Sequence, residues 1–189
     1  MMTPEEALAR LKRGHQRYLA GQGKRGDWPE HQRSPNFNQG QEPFAILLGC
    51  SDARAPLQLI FDQGIGDLFV VRVAGNIVAP SQLGSIAFAV YSFGTPLVLV
   101  LGHSKCGAVA AAVDAICEDH ELPSTNLETI VDRIRPVVRG LQITDPLISQ
   151  RELSQRAIGA NVRFVVNQLV EDSEILRKRV QSRKLLIVG

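Results

Sequence analysis

Short runs of consecutive apolar residues constrain the fold of this chain more than any other feature of its sequence. They are five or six residues long, bounded by Gly, Pro or Asp, and apolar throughout rather than at alternate positions. Strands of this kind are buried on both faces, as in a parallel sheet that helices cover. Together with a similar fourth segment, they predict strands at Phe44–Leu48, Leu68–Val73, Leu97–Leu101 and Lys184–Val188.

Helical patterns lie between and after these strands. Strands that alternate with helices indicate an α/β fold with a mostly parallel sheet flanked by helices. Ligands of such sheets bind at the carboxyl ends of the strands. The predicted helices are Ser81–Phe93 with a Ser cap, Cys106–Cys117, about Asn126–Leu141, and one long helix from about Arg151 to Val180.

The first 43 residues are predicted to form a helical arm and a link. Thr3 and Glu6 flank Pro4 in the pattern of a capping box, and leucines then recur at helical spacing until about Gly21. Residues 21–43 are rich in Gly, Pro, Asn and Gln, which is typical of an irregular connection. We expect this arm to pack away from its neighbours in sequence, on a partner subunit.

The composition bounds the class of protein. A chain of 189 residues, 44% of them hydrophobic, predicts one domain over residues 1–189, with an α/β core over 44–189. A net charge of +2 and an aromatic content of 5% argue against nucleic-acid binding. No apolar run is long enough to span a bilayer, and Glu5 and Glu6 do not fit a signal peptide. We therefore expect a cytoplasmic protein with no membrane partner.

Two clusters of chemically reactive residues each follow a predicted strand. Cys50, Asp52 and Arg54 come after the first strand, and His103 and Cys106 come after the third. Neighbouring strands lie about 5 Å apart and bring their carboxyl ends together. Two thiolates with an imidazole suit zinc, and three protein ligands leave one position for water. Cys50, His103 and Cys106 are therefore predicted to bind Zn²⁺.

Each part of this site also has a plain structural interpretation. Buried structural cysteines are common, and a His-x-x-Cys pair often occurs by chance. Asp52 and Arg54 can form a bidentate pair. If the segment is extended, that pair lies on the same side as Cys50. The Asp52–Arg54 pair is either a structural ion pair or part of the metal site. In the metal site, Asp52 either coordinates zinc or turns to Arg54.

The ligand set predicts how activity depends on pH. Zinc lowers the pKa of its bound water enough to supply hydroxide near neutral pH. Two thiolates neutralise the charge of the ion, so this water is less acidified than it would be on three imidazoles. We expect activity to rise from mildly acidic to alkaline pH. A stopped-flow pH profile measures this, and a flat profile would contradict it.

With these residues in hand, the sequence resembles the β-class carbonic anhydrases. The shared motifs occur in the family's order and spacing and cover nearly the whole chain, with weaker similarity in the first helix and at Leu185–Gly189. They are C-x-D-x-R at Cys50–Arg54, Gly66–Arg72, Ala74–Asn76, Gly84–Ile86 and Gly102–Val109.

The resemblance implies reversible hydration of carbon dioxide to bicarbonate and a proton. In the family, hydroxide on the zinc attacks the carbon, and an Asp–Arg dyad gates the fourth zinc position. Carried over, the zinc ligands are Cys50, His103 and Cys106, with Asp52 as the alternative fourth ligand, and the catalytic dyad is Asp52 and Arg54.

The resemblance also implies a substrate-binding pocket. The family's pocket glutamine falls on Gln41, its phenylalanine on Phe69, and a small apolar position on Ala74. Where some members have a tyrosine, this chain has Phe88, so any role of that hydroxyl is lost. Without the resemblance, Gln41 would be interpreted as a loop residue and Phe69 as core.

The family's assembly is a homodimer in which the N-terminal helices embrace the partner, and dimers often pair into a homotetramer. Its sheet carries an added antiparallel edge strand. This sequence departs from that pattern because Gly189 directly follows the predicted fourth strand. We therefore expect a chain that lacks the usual C-terminal edge strand, with weaker sheet and subunit packing but every zinc ligand present.

Two other functions remain open from the sequence. A related enzyme could act on carbonyl sulfide or carbon disulfide, which are also apolar linear molecules. A zinc-binding structural or regulatory module would bind the metal without turnover.

Overall fold

A computed structural model describes residues 2–23, 40–118 and 122–189 of the chain. It contains a four-stranded sheet in which every strand is parallel to its neighbours, in the order β2-β1-β3-β4. The α/β fold and the four predicted strands are confirmed, with ends that differ by one or two residues. The strands are β1 (Ala45–Gly49), β2 (Leu68–Arg72), β3 (Leu97–Leu101) and β4 (Leu186–Val188).

Helices cover both faces of this sheet. Alternate residues of β1 point to opposite sides, so Ile46 and Leu48 join one apolar core while Ala45 and Leu47 join another. Both sides are fully buried, which explains the unbroken apolar run. The helices are α1 (Pro4–Leu19), α2 (Leu57–Ile60), α3 (Pro80–Phe93), α4 (Gly107–Cys117), α5 (Thr125–Thr144), α6 (Gln150–Glu171) and α7 (Glu174–Gln181), and a 3₁₀ turn spans Ala74–Asn76.

The predicted capping box at the start of α1 is confirmed. The Thr3 hydroxyl accepts from the Glu6 N–H at 3.2 Å, and the Glu6 carboxylate accepts from the Thr3 N–H at 2.8 Å. Among the described residues, this helix packs on the chain's own sheet, where Ala7 and Leu11 share one buried apolar core with Leu47. Its contact with a partner subunit stays a prediction. The predicted irregular connection over 21–43 lies largely outside the described residues.

Two details of the helix predictions are wrong. The long helix from Arg151 to Val180 is two helices, because Ser173 leaves the helical conformation and its hydroxyl accepts from the Leu176 N–H to cap α7. The predicted Ser cap of α3 is also absent, since the helix begins one residue earlier, at Pro80, whose fixed φ suits a first helical position. Within the described ranges, none of the helices is both long and apolar enough to cross a membrane.

Candidate metal centre

The two cysteines of the predicted site meet at the carboxyl edge of the sheet. Gly49 of β1 is paired with Leu101 of β3, so the loops that follow these two strands start side by side. Cys50 is the first residue after β1, and Cys106 is the N-cap of α4. Both side chains are buried, and their sulfur atoms lie 3.9 Å apart.

His103 completes this group with its Nε2 atom. Its Nδ1 lies 3.0 Å from the Ser104 carbonyl oxygen and so carries the proton as a donor, which leaves the lone pair on Nε2. Nε2 is buried and has no hydrogen-bond partner among the described residues. The ligand atoms of Cys50, His103 and Cys106 all lie within 4.8 Å of one another.

This geometry fits a tetrahedral zinc ion. Zinc–sulfur bonds of about 2.3 Å at a tetrahedral angle place two sulfurs about 3.8 Å apart, close to the distance between Cys50 and Cys106. A buried imidazole nitrogen without a partner is costly unless a ligand satisfies it. Burial, with the Cys50 thiol nearby, raises the pKa of the Cys106 thiol, and a bound cation would offset this by favouring the thiolate. The donor set and its spacing therefore suit the predicted metal.

Asp52 and Arg54 form a bidentate pair beside this cluster. Arg54 Nε lies 2.9 Å from Asp52 Oδ1, and Arg54 Nη2 lies 2.7 Å from Asp52 Oδ2. These hydrogen bonds, together with one from the Arg54 backbone N–H, hold the pKa of Asp52 well below its usual range. The segment is not extended, which was the condition for placing the pair on the side of Cys50 from the sequence: it turns, with the Ala55 N–H donating to the Asp52 carbonyl. The same carboxylate lies 3.9 Å from His103 Nε2.

Arg54 also connects the two loops of the site. Its Nη2 donates to the carbonyl of Lys105 at 3.1 Å, although the two residues are 51 positions apart. Lys105 itself has a left-handed φ of 57°, which turns the chain between His103 and Cys106. The Asp52–Arg54 pair is therefore held against the loop that carries His103 and Cys106.

Gln41, Phe69 and Phe88 lie away from the cysteines within this chain. Gln41 lines a cavity near the amino ends of β1 and β3, together with Phe93. The ring centroids of Phe69 and Phe88 lie 6.3 and 5.6 Å from that of Phe93. A five-residue strand spans about 16 Å. The cavity that Gln41 lines is at the amino ends of the strands, whereas Cys50 is at their carboxyl ends.

Ala74, the fourth residue assigned to the substrate pocket, lies close to Cys50. It opens the 3₁₀ turn Ala74–Asn76, and the N–H of the next residue, Gly75, donates to Cys50 Sγ at 3.3 Å.

Sequence reasoning missed two groups that shape the site. Arg72, at the end of β2, donates to the carbonyls of Cys50 at 2.9 Å and of Asp52 at 2.6 Å, and so fixes the loop between them. Asn161 donates to the carbonyl of Gly75 at 2.8 Å. Two features of the sequence could have indicated them: Arg72 is a charged residue at the end of an apolar strand, and Asn161 is a polar residue within the apolar stripe of a helix.

The fold and this cluster define a class of protein, a parallel α/β protein with two cysteines and a histidine gathered where its central strands end. The family model described as carbonic anhydrase matches residues 45–189. Carbonic anhydrase 2 of Mycobacterium tuberculosis is 38% identical over 187 residues, which cover 99% of this chain and 87% of that protein.

Solved structures show the same similarity. The β-carbonic anhydrase CafA of Aspergillus fumigatus superposes with a TM-score of 0.71 at 28% identity, over 96% of this chain and 81% of the other. A tetrameric β-carbonic anhydrase of Sordaria macrospora has the same fold, with a TM-score of 0.70 at 24% identity over 96% and 90% of the two chains. This chain belongs to the carbonic anhydrase family, in its β class, and is an enzyme of the carbonate dehydratase type.

Proposed function

We propose that this enzyme hydrates carbon dioxide reversibly to bicarbonate and a proton at a zinc ion held by Cys50, His103 and Cys106. The observation that carries this proposal is the convergence of two buried sulfurs, 3.9 Å apart, with a buried imidazole nitrogen that makes no hydrogen bond in the described structure. Zinc supplies Lewis acidity there and lowers the pKa of water.

Asp52 and Arg54 are proposed to orient the reacting groups beside the metal. An ionised carboxylate is only an acceptor, and Arg54 occupies one edge of each Asp52 oxygen while Asp52 Oδ2 faces His103 Nε2 at 3.9 Å. Asp52 Oδ2 would therefore accept a hydrogen bond from a hydroxyl group held beside it and orient that group for attack. Movement of Asp52 to the metal would break both side-chain hydrogen bonds to Arg54, which supports a gate that rests in the open state.

Gln41, Phe69 and Phe88 are proposed to serve the substrate pocket of a second copy of the chain in a homodimer, because they lie far from the cysteines of their own chain. Two aromatic side chains on α3, Phe88 and Tyr91, are 54% and 75% exposed and offer an apolar surface for such a partner.

The contact of α1 with the sheet supports a single domain that includes the N-terminal helical arm. The tetrameric Sordaria macrospora relative supports a further pairing of dimers.

We expect the protein to be a dimer or a tetramer in solution. Sedimentation or light scattering at several concentrations measures this directly. A monomer with full hydration activity would contradict the shared site, because Gln41, Phe69 and Phe88 could not then reach the metal cluster.

Stopped-flow hydration of carbon dioxide, with zinc quantified on the same sample, tests the proposed function. One zinc per chain with rapid hydration is expected, and removal of zinc with a chelator should abolish turnover until zinc is returned. If the protein turned over carbonyl sulfide or carbon disulfide but not carbon dioxide, the proposed substrate would be wrong, whereas the proposed metal site would stand. Bound zinc with no turnover of any of the three would favour a structural or regulatory module.

A further inference from the structure

A buried polar residue on α6 is not explained by the fold or by the proposed ligands. The buried positions of this helix are Leu153, Ala157, Asn161, Val165 and Leu169, and Asn161 is the polar member of that stripe. Its side chain is 1% exposed. Burial of a carboxamide costs free energy unless it makes hydrogen bonds. Asn161 makes one such bond through Nδ2, while its buried Oδ1 has no hydrogen-bond partner among the described residues. A leucine would suit the core better, so the contact of Nδ2 needs another explanation.

That contact reaches the loop beside the metal cluster. Asn161 Nδ2 donates to the Gly75 carbonyl at 2.8 Å, across 86 residues of sequence. Gly75 has a φ of 71°, and a Cβ atom there would lie 2.8 Å from Ile134 Cδ1 and 3.1 Å from Ala108 Cβ. The glycine is thus enclosed by residues of α4 and α5 and tied to α6.

Gly75 is also in contact with a proposed metal ligand. Its N–H donates to Cys50 Sγ at 3.3 Å. A hydrogen bond of this kind withdraws electron density from a metal-bound thiolate and fixes the direction of its lone pairs. Groups that hydrogen-bond to metal ligands tune the site in this way.

We propose that Asn161 is a positioning residue of the metal centre, which holds the 3₁₀ turn Ala74–Asn76 so that the Gly75 N–H stays directed at the Cys50 sulfur. The inference rests on the metal centre proposed above. The competing explanation is that Asn161 only satisfies a buried carbonyl and contributes to stability. The two differ in whether the electronic state of the Cys50 sulfur depends on Asn161.

Cobalt substitution distinguishes these explanations, because the sulfur-to-cobalt charge-transfer band reports on the thiolates of the folded protein. Asn161→Leu keeps a side chain of similar size and removes the donor. We expect the band to move to longer wavelength, because a thiolate without its N–H donor gives up an electron more easily. We also expect the dissociation constant for Zn²⁺, measured by competition with a chelating dye, to rise roughly tenfold.

Asn167→Leu is the matched control, since Asn167 lies on the exposed side of the same helix. It should leave both the band position and the zinc affinity unchanged. Asn161→Ser is the second variant. It removes the carboxamide without placing an apolar group against the Gly75 carbonyl, and it should shift the band in the same direction.

The proposal is overturned if the folded variants show the parent's band position and zinc affinity, whatever their melting temperature. Failure of both Asn161 variants to fold would also overturn it, because Asn161 would then be a residue needed for folding. If the parent protein itself gives no sulfur-to-cobalt band, the proposed metal centre fails instead.

Discussion

Cys106→Ser is expected to lose bound zinc together with the hydration activity, while Cys117→Ser keeps both. A serine hydroxyl is a poor ligand for zinc beside a thiolate, whereas serine is favoured at a helix N-cap, which is the position of Cys106 in α4. The helix should therefore form as before. Because loss of a group that merely supports a metal ligand costs about 10- to 100-fold in activity, loss of the ligand should cost more than about 100-fold.

Cys117 is a close control because it ends the same helix but is exposed, and its sulfur accepts a hydrogen bond from the Gln142 side chain. Zinc per chain and the stopped-flow rate should be measured on both variants and on the parent. If the Cys106→Ser protein kept its zinc and its hydration rate, Cys106 would not be a zinc ligand.

Asp52→Asn is expected to keep its zinc and lose about 10- to 100-fold in hydration rate. The amide has nearly the size of the carboxylate, but its NH₂ group faces an Arg54 donor where Oδ2 now accepts at 2.7 Å. One hydrogen bond of the pair becomes a contact between two donors, so the substituted side chain no longer presents a fixed acceptor beside His103.

The measurement separates orientation from ligation. Unchanged zinc content with a slower rate supports the proposed role, whereas loss of zinc would make Asp52 a resting ligand. Asp132→Asn is the control: it disrupts an Asp–Arg pair on the exposed side of α5, where such pairs contribute little. A rate for Asp52→Asn equal to that of the Asp132→Asn control would exclude any part for Asp52 in turnover.

The sheet and the convergence of Cys50, His103 and Cys106 could be predicted because local patterns specify them. A strand such as β1 is buried on both faces. A short run of apolar residues between Gly, Pro or Asp is typical of such a strand. Once β1 and β3 are neighbours, Cys50 and Cys106 must lie at the same edge, because the chain leaves both strands in the same direction.

Other features depend on contacts between distant parts of the chain. The apolar pattern after Arg151 continues through Ser173, so periodicity alone does not reveal that its hydroxyl caps a new helix. The resemblance assigned Gln41 and Phe69 to one pocket with Ala74. Sequence spacing, however, does not determine whether each residue lies near the amino ends or the carboxyl ends of the strands. The role of Asn161 depends on a carbonyl 86 residues away.

The pairing of β1 with β3 has a consequence for how the enzyme matures. These strands are adjacent in space, yet β2 lies between them in sequence and on the outer side of β1. Pairings of this range form slowly, because a long loop must close first. If the proposed zinc ion needs Cys50 together with His103 and Cys106, a nascent or refolding polypeptide cannot bind it at this site until β1 and β3 have paired. The time course of zinc uptake would report that step.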